Sequence, residues 1–319
     1  MYKDCILCGH NYFLKLFNVR EAVFSQSIRS YDVIQCTNCK LSRMDPFPSK
    51  EEIEELYTKE NIFSNPMENP FKKKWFYQCF ENLYAKYGAG DLKWEAKKTL
   101  SYLKHASNSV SLLDIGCNDG RFLEHLSARK NIDCYGIDLD SNFYRLQNKK
   151  IHYVNGDFLE YDFGQKFDVV TMRYLLEHLP EFTQCIEKAR SILNDEGVLY
   201  IAVPDIGSLK ACALKGEWNM VNDRNKKIGH VSWLTRQTFK YISEKYALMI
   251  LEMRNRGELI HHLPSSIQQG IKSIFGVEPL TQRPISNYQL RIIYSIIFDN
   301  IVPRYFDYGD CVQVWLKKQ

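Results

Sequence analysis

Residues Leu112-Leu113-Asp114-Ile115-Gly116-Cys117-Asn118-Asp119-Gly120 read as an apolar strand that ends in an acidic turn punctuated by glycine. Glycine at such a turn accepts positive φ and lets a ligand approach bare backbone. The amphipathic run that follows, with Phe122, Leu123 and Leu126, presents unpaired N–H groups at its first turn. Taken alone, the turn suits a nicotinamide dinucleotide as well as other nucleotides. Its carboxylates, Asp114 and Asp119, disfavour a pyrophosphate and favour a ligand with an ammonium and a sulfonium, both of which S-adenosylmethionine carries. A second chemistry is written in Cys5-Ile6-Leu7-Cys8 and Cys36-Thr37-Asn38-Cys39, two Cys-x-x-Cys pairs that can each give two thiolates to one tetrahedral zinc. A redox dithiol would need only one such pair. Four cysteines close the coordination sphere, so such a zinc is structural rather than catalytic. Proton-accepting side chains are fewer: His178 beside Glu177, and His230.

These residues need a frame. Cys134-Tyr135-Gly136-Ile137-Asp138 reads as a second short strand, and Asp138 lies at the spacing, about 20 residues beyond the glycine turn, at which a carboxylate accepts bonds from ribose hydroxyls. A third strand, Ile151-His152-Tyr153-Val154, runs into Asn155-Gly156-Asp157-Phe158, which places a carboxylate and an aromatic where an adenine would lie. A fourth, Phe167 to Met172, leads into Arg173-Tyr174-Leu175-Leu176-Glu177-His178. A fifth, Gly197 to Pro204, follows a helical stretch ending near Leu193. Strands alternating with helix-length segments predict βαβ units and a parallel sheet. Ala247 to Met253 and Cys311 to Leu316 are both strand-like. Segments Tyr12–Phe17 and Tyr31–Ile34 leave room for a hairpin between the cysteine pairs. Ser49 with Glu52 forms a capping box, and Thr235 with Thr238 caps a helix over Arg236–Lys245.

The ordered set, from about Thr99 to Met253 plus the last strand, resembles a class I S-adenosylmethionine-dependent methyltransferase. The resemblance implies a Rossmann-like α/β sheet with an antiparallel last strand, preceded here by a small zinc ribbon. It further implies that Asp114, Gly116 and Gly120 hold the methionine part and Asp138 the ribose. By the same resemblance Leu139 packs on adenine, Asp157 accepts from its amino group, and the Phe158 backbone N–H donates to a ring nitrogen. Asn118 departs from the pattern by replacing the middle glycine, which requires it to adopt the left-handed conformation or the turn to change shape. His178 falls where residues of similar enzymes face the transferred methyl, although a Glu-His pair there also serves structurally. His230 falls on the substrate side of the cleft, as base or hydroxyl binder. The leader, Cys36-Thr37-Asn38-Cys39-Lys40-Leu41 followed by Asp45-Pro46-Phe47-Pro48-Ser49, is similar to that of bacterial methyltransferases acting on sugars, nucleotide-sugars and surface polysaccharides. The large C-terminal domain of the deoxysugar C-methyltransferases is missing, which favours O-methylation.

Composition bounds the rest. The chain has 319 residues, a formal charge of +4 and ten cysteines, with proportions ordinary for a soluble enzyme. The absence of a signal peptide points to reduced thiols and a cytoplasmic home. Cys79, Cys117, Cys134, Cys185, Cys212 and Cys311 are expected as core or near-core thiols. The basic clusters Lys72-Lys73-Lys74 and Arg224-Asn225-Lys226-Lys227 read as solvated faces, and the charge is too small and dispersed to announce nucleic acid. The loop after the fourth strand lacks the Pro-Pro-aromatic sequence of adenine and cytosine amino methyltransferases, and no Pro-Cys turn for pyrimidine C5 chemistry occurs. Tyr57, Trp75 and Tyr77 are expected to join ribbon and core, and Arg173 and Tyr174 to touch substrate or cofactor. The expected organisation is a ribbon over 1–46, a helical connector over 47–98, a methyltransferase core over 99–257, a helical insertion over 258–308 and a last core strand over 309–319. Ile267, Ile271, Ile274 and Phe275, then Leu290, Ile293, Ile297 and Ile301, give the insertion two amphipathic faces. Packing on the sheet edge, a lid, a dimer contact and peripheral membrane contact are the readings open for it. The function these observations favour is O-methylation of a sugar-derived small molecule or glycan. The competitors are an RNA methyltransferase gripping RNA through its ribbon and a cofactor-binding pseudoenzyme.

Overall fold

A computed structural model of the chain describes residues 3–24, 27–49, 51–53, 92–103, 109–127, 131–139, 150–208, 211–212, 215–218, 220–221, 229–256 and 311–319. The insertion 258–308, Cys79, the Lys72-Lys73-Lys74 and Arg224-Asn225-Lys226-Lys227 clusters and the Tyr57, Trp75 and Tyr77 group lie outside these residues. The N-terminal strands are β1 (Phe13–Phe24), β2 (Ser27–Cys36) and β3 (Ser42–Asp45). They form the expected hairpin, longer than the sequence implied, with β1 and β2 antiparallel from Phe13↔Cys36 to Phe24↔Ser27.

Next come β4 (Val110–Ile115), the helix α1 (Arg121–Ser127), β5 (Ile132–Asp138), β6 (Ile151–Asn155), β7 (Phe167–Arg173), α2 (Phe182–Ser191) and β8 (Leu193–Pro204). β8 begins ahead of the Gly197 expected, because Leu193 already pairs with Phe167 of β7. The two-residue β9 (Ser232–Trp233), α3 (Arg236–Lys245), β10 (Leu248–Arg256) and β11 (Cys311–Lys318) complete the description. Seven strands form one sheet in the order β10-β11-β8-β7-β4-β5-β6. The pairs among β4 to β8 are parallel, whereas β11 runs antiparallel between β8 and β10. This is the Rossmann-like sheet with a reversed last strand that the resemblance implied. Val198 to Val203 are buried without a break, the pattern of a strand covered on both faces.

The connection between ribbon and sheet was not legible in the sequence. β3 pairs antiparallel with β9, so the ribbon's sheet runs β1-β2-β3-β9 and ends on a strand from the other half of the molecule. Cys5, Leu7, Cys36, Cys39 and Leu41 share a hydrophobic cluster with Leu234, Phe239 and Ile242 around α3. On the opposite side, residues 92–100 are helical and pack on the β8–β11 face, where the Trp315 ring stacks on Tyr200 at 4.8 Å and its indole N–H donates to Thr99 Oγ1 at 2.9 Å. Both caps read from the sequence form: Glu52 N–H donates to Ser49 Oγ, and Thr238 N–H to Thr235 Oγ1. One cysteine differs from expectation. Cys212 is exposed, next to buried Ala211 in the same short helical stretch.

Candidate active site and metal centre

The glycine turn follows β4 directly. Gly116, Asn118 and Gly120 all have positive φ, of 71°, 47° and 74°. Asn118 therefore takes the left-handed conformation a middle glycine would have, and the path of the turn is kept. Its N–H donates to Asp138 Oδ2 at 2.7 Å, which ties the turn to the acid at the end of β5. The Gly116 and Cys117 N–H groups both donate to Ile137 O, at 2.9 and 3.2 Å. A Cβ at Gly136 would meet Leu123 Cδ1 at 2.7 Å and Cys117 Sγ at 2.9 Å, so glycine in β5 is what lets the turn sit this close. Asp114 is buried and accepts from Thr171 Oγ1. Burial pushes its carboxyl up to about 6, with the Arg173 guanidinium pulling the other way. Asp119, by contrast, pairs with its neighbour Arg121.

Leu139, just past Asp138, is 65% exposed, an apolar side chain left open beside the turn. Asp157 Oδ1 accepts from the Leu159 N–H at 2.7 Å, and Phe158 is buried with the Lys188 ammonium 5.2 Å from its ring centre. Arg173 Nε instead donates to Glu95 Oε2 at 2.9 Å, with its guanidinium 4.7 Å from the Phe122 ring centre. Glu95 also accepts from Gln313, so the helical residues 92–100 are anchored to β7 and β11 through buried polar groups.

The segment after β7 folds back over the turn. A Cβ on Gly116 would come within 2.9 Å of Leu175 Cδ1, so Leu175 lies against the glycine itself. Tyr174 takes positive φ at this corner, and Leu176–His178 form a single 3-10 turn. His178 Nδ1 lies 2.6 Å from Gly229 O, and His230 Nδ1 lies 2.6 Å from Met220 O. A carbonyl only accepts, so each Nδ1 carries the hydrogen and each Nε2 keeps its lone pair. The two rings meet edge to face, 4.5 Å between centres. Burial lowers His178 to about 4; burial and then the neighbouring His178 lower His230 to about 3. Both imidazoles are neutral near pH 7. Ligand atoms of Glu177, His178 and His230 fall within 4.8 Å of one another.

A family model described as a methyltransferase domain matches residues 84–252, more than half of the chain. The chain belongs to the methyltransferase family. This methyltransferase is 29% identical over 120 residues to a ubiquinone biosynthesis O-methyltransferase of Actinobacillus pleuropneumoniae serotype 5b, a match covering 32% of this chain and 50% of that protein. It is 28% identical over 106 residues to a carboxy-S-adenosyl-L-methionine synthase of Nautilia profundicola, covering 30% and 45%. The chain thus spans about half the length of the curated relatives it matches. Among solved structures, a SAM-dependent methyltransferase from Archaeoglobus fulgidus has a TM-score of 0.47 at 18% identity, covering 75% of this chain and 99% of that one. The plantazolicin methyltransferase in complex with SAH gives 0.47 at 18%, covering 84% and 98%. The left-handed turn, the acid closing on it from β5 and the open Leu139 fit an S-adenosyl ligand in this methyltransferase.

The four leader cysteines converge. Cys5 Sγ lies 3.5 Å from Cys39 Sγ and Cys8 Sγ 3.5 Å from Cys36 Sγ, and all four sulfurs fall within 4.8 Å of one another. Zinc–sulfur bonds of about 2.3 Å in a tetrahedron put sulfurs about 3.8 Å apart, so the donor set fits zinc. The two knuckles repeat one geometry: the residue after each second cysteine, Gly9 and Lys40, has positive φ (69° and 60°) and donates its N–H back to the first cysteine's carbonyl. Buried Arg43 adds a second sign. Among the described residues its Nε has no partner and its nearest carboxylate is Asp45 at 3.8 Å, and burial lowers the pKa of its guanidinium. A four-thiolate zinc carries net negative charge and would offset this buried cation.

Proposed function

We propose that this methyltransferase moves the methyl group of S-adenosylmethionine to an oxygen of a sugar or sugar-derived acceptor, such as a nucleotide-sugar or a surface glycan. The observation that carries the oxygen chemistry is the His178–His230 pair: two neutral imidazoles with fixed Nδ1–H groups, His178 three residues beyond the Leu175 that lies against Gly116 and His230 packed edge to face on His178 from another loop. Bound cofactor supplies the methyl group for in-line transfer. The chain's own work is alignment, exclusion of water and removal of the hydroxyl proton, which passes to an Nε2 lone pair. Asp114, Gly116, Asn118 and Gly120 hold the methionine part in this reading. Asp138 takes the ribose, Leu139 covers the adenine, and Asp157 and the Phe158 N–H read its edge. Zinc on Cys5, Cys8, Cys36 and Cys39 is structural.

The sugar half rests on the leader's similarity to those of sugar-modifying enzymes. A phenolic hydroxyl is the second reading, favoured by relatives named for ubiquinone biosynthesis. The division into ribbon (1–46), connector (47–98), core (99–257 with 309–319) and insertion (258–308), the last as lid or contact surface, belongs to this proposal, as does a reducing, cytoplasmic setting. Among the described residues no helix is long and apolar enough to cross a membrane.

The test is transfer of labelled methyl from S-adenosylmethionine to a panel of nucleotide-sugars, glycans, phenols and RNA, with S-adenosylhomocysteine binding measured on the same sample. Label in a sugar is expected. Label in a phenol selects the second reading, label in RNA overturns both, and no binding removes the cofactor. His178→Gln and His230→Gln are expected to cut the transfer rate by about 10²- to 10⁴-fold with S-adenosylhomocysteine affinity unchanged.

A further inference from the structure

We propose that the zinc ribbon is a positioning element of the acceptor half of the site: metal held at Cys5, Cys8, Cys36 and Cys39 keeps the Glu177-His178-His230 group in register, while the cofactor half stands without it. The inference rests on the function proposed above for the two histidines.

A line of backbone hydrogen bonds connects the two places. Cys36 and Cys39 flank the turn into β3, and the Cys36 N–H donates to Leu41 O at 2.9 Å, so closing the knuckle on a metal fixes where β3 begins. β3 pairs with β9 through Ser42↔Trp233 and Arg43↔Ser232. The Met44 N–H donates to Val231 O at 3.0 Å, and the Val231 N–H donates onward to Glu177 O at 2.9 Å. Val231 therefore stands between the ribbon and the 3-10 turn of Glu177 and His178, and it follows His230 directly. His230 Nδ1 and the Trp233 indole N–H share one acceptor, Met220 O, at 2.6 and 2.9 Å. Trp233, Val231 and Met44 pack in one buried cluster with Val33 and Tyr31 of β2.

Two further contacts clamp the knuckles onto α3. Lys245 Nζ donates to Leu7 O at 2.8 Å, and Thr235 Oγ1, the cap of α3, reaches Lys40 O at 3.5 Å. The cofactor turn is held from another direction. Its bonds run to β5 and β7: Asn118 to Asp138, Gly116 to Ile137, Thr171 to Asp114.

The experiment uses the full chain, purified with its metal and labelled with ¹⁵N in histidine. Ring signals of His178 and His230, assigned with the His178→Gln and His230→Gln proteins, are recorded before chelation, after chelation and after zinc is returned. S-adenosylhomocysteine binding is measured by calorimetry at each stage. The expected result is that chelation shifts or broadens both ring signals and zinc restores them, with S-adenosylhomocysteine affinity unchanged throughout. Unchanged rings in metal-free protein would overturn the proposal, as would absence of any bound metal at the start. So would loss of S-adenosylhomocysteine binding together with the ring signals, since zinc would then hold the whole fold. Failure of the untreated protein to bind S-adenosylhomocysteine is a different result, and counts against the methyltransfer reading instead.

Discussion

Asp114 shows how one side chain sets a condition on the ligand. Its carboxyl is buried at the end of β4 and held up at about 6, so the ligand-free protein takes a proton there as pH falls through that value. In the proposed cofactor site the ligand's ammonium needs the ionised form. S-adenosylhomocysteine affinity is therefore expected to be constant above about pH 7 and to fall toward tenfold per pH unit below 6, measured by calorimetry across pH 5 to 8. The folded protein itself behaves in the opposite sense: an acid with a raised pKa is a cost at neutral pH that is relieved on acidification. Asn118 makes a second prediction. Its φ of 47° suits glycine, so Asn118→Gly should leave cofactor affinity nearly unchanged, whereas Asn118→Val should strain the turn by roughly 1–2 kcal/mol and weaken binding about tenfold. These residues were legible in the sequence because their contacts are local in the fold: Asp138 meets the turn from the adjacent strand. The partner of Arg173 was not, since Glu95 is distant in the chain and no periodicity links the two.

The helical residues 92–100 meet the sheet through polar groups as well as through Trp94 and Trp315. Glu95 and Arg173 are both largely buried, so Glu95→Ala would leave a guanidinium without its carboxylate inside the protein. That change should destabilise the chain by about 3 kcal/mol in chemical denaturation, while Glu95→Gln, which keeps one acceptor, should cost less. Strands were the most readable elements: β4, β5 and β6 are short runs closed by glycine or acid, and α3 announces itself through Thr235 and Thr238. β9 is the counterexample. Two residues, Ser232 and Trp233, hold no pattern of their own and become a strand only because β3 supplies a ladder. Arg43, in the four-residue β3, is buried and its guanidinium donates to Lys3 O at 2.8 Å, a contact that no pattern in the sequence announces.

At the scale of the molecule, the ribbon and the large sheet share their interior, with Cys36 and Cys39 in the same cluster as Val170, Leu199 and Phe239. Metal analysis should find one zinc per chain, lost in Cys39→Ser, and thermal unfolding of that variant should begin several degrees lower. A different consequence follows from the sheet order. β11 lies between β8 and β10, and residues 257–310 separate it from β10 in the chain. As the polypeptide leaves the ribosome, β10 emerges first and has no neighbour to pair with, because β11, the strand that joins it to β8, is not yet made. The sheet on this side is closed only by a late insertion between two waiting edges. Synthesis that stalls within 257–310 would release a chain with β8 and β10 both unpaired, a species suited to pairing with another of its kind and a natural target for chaperones.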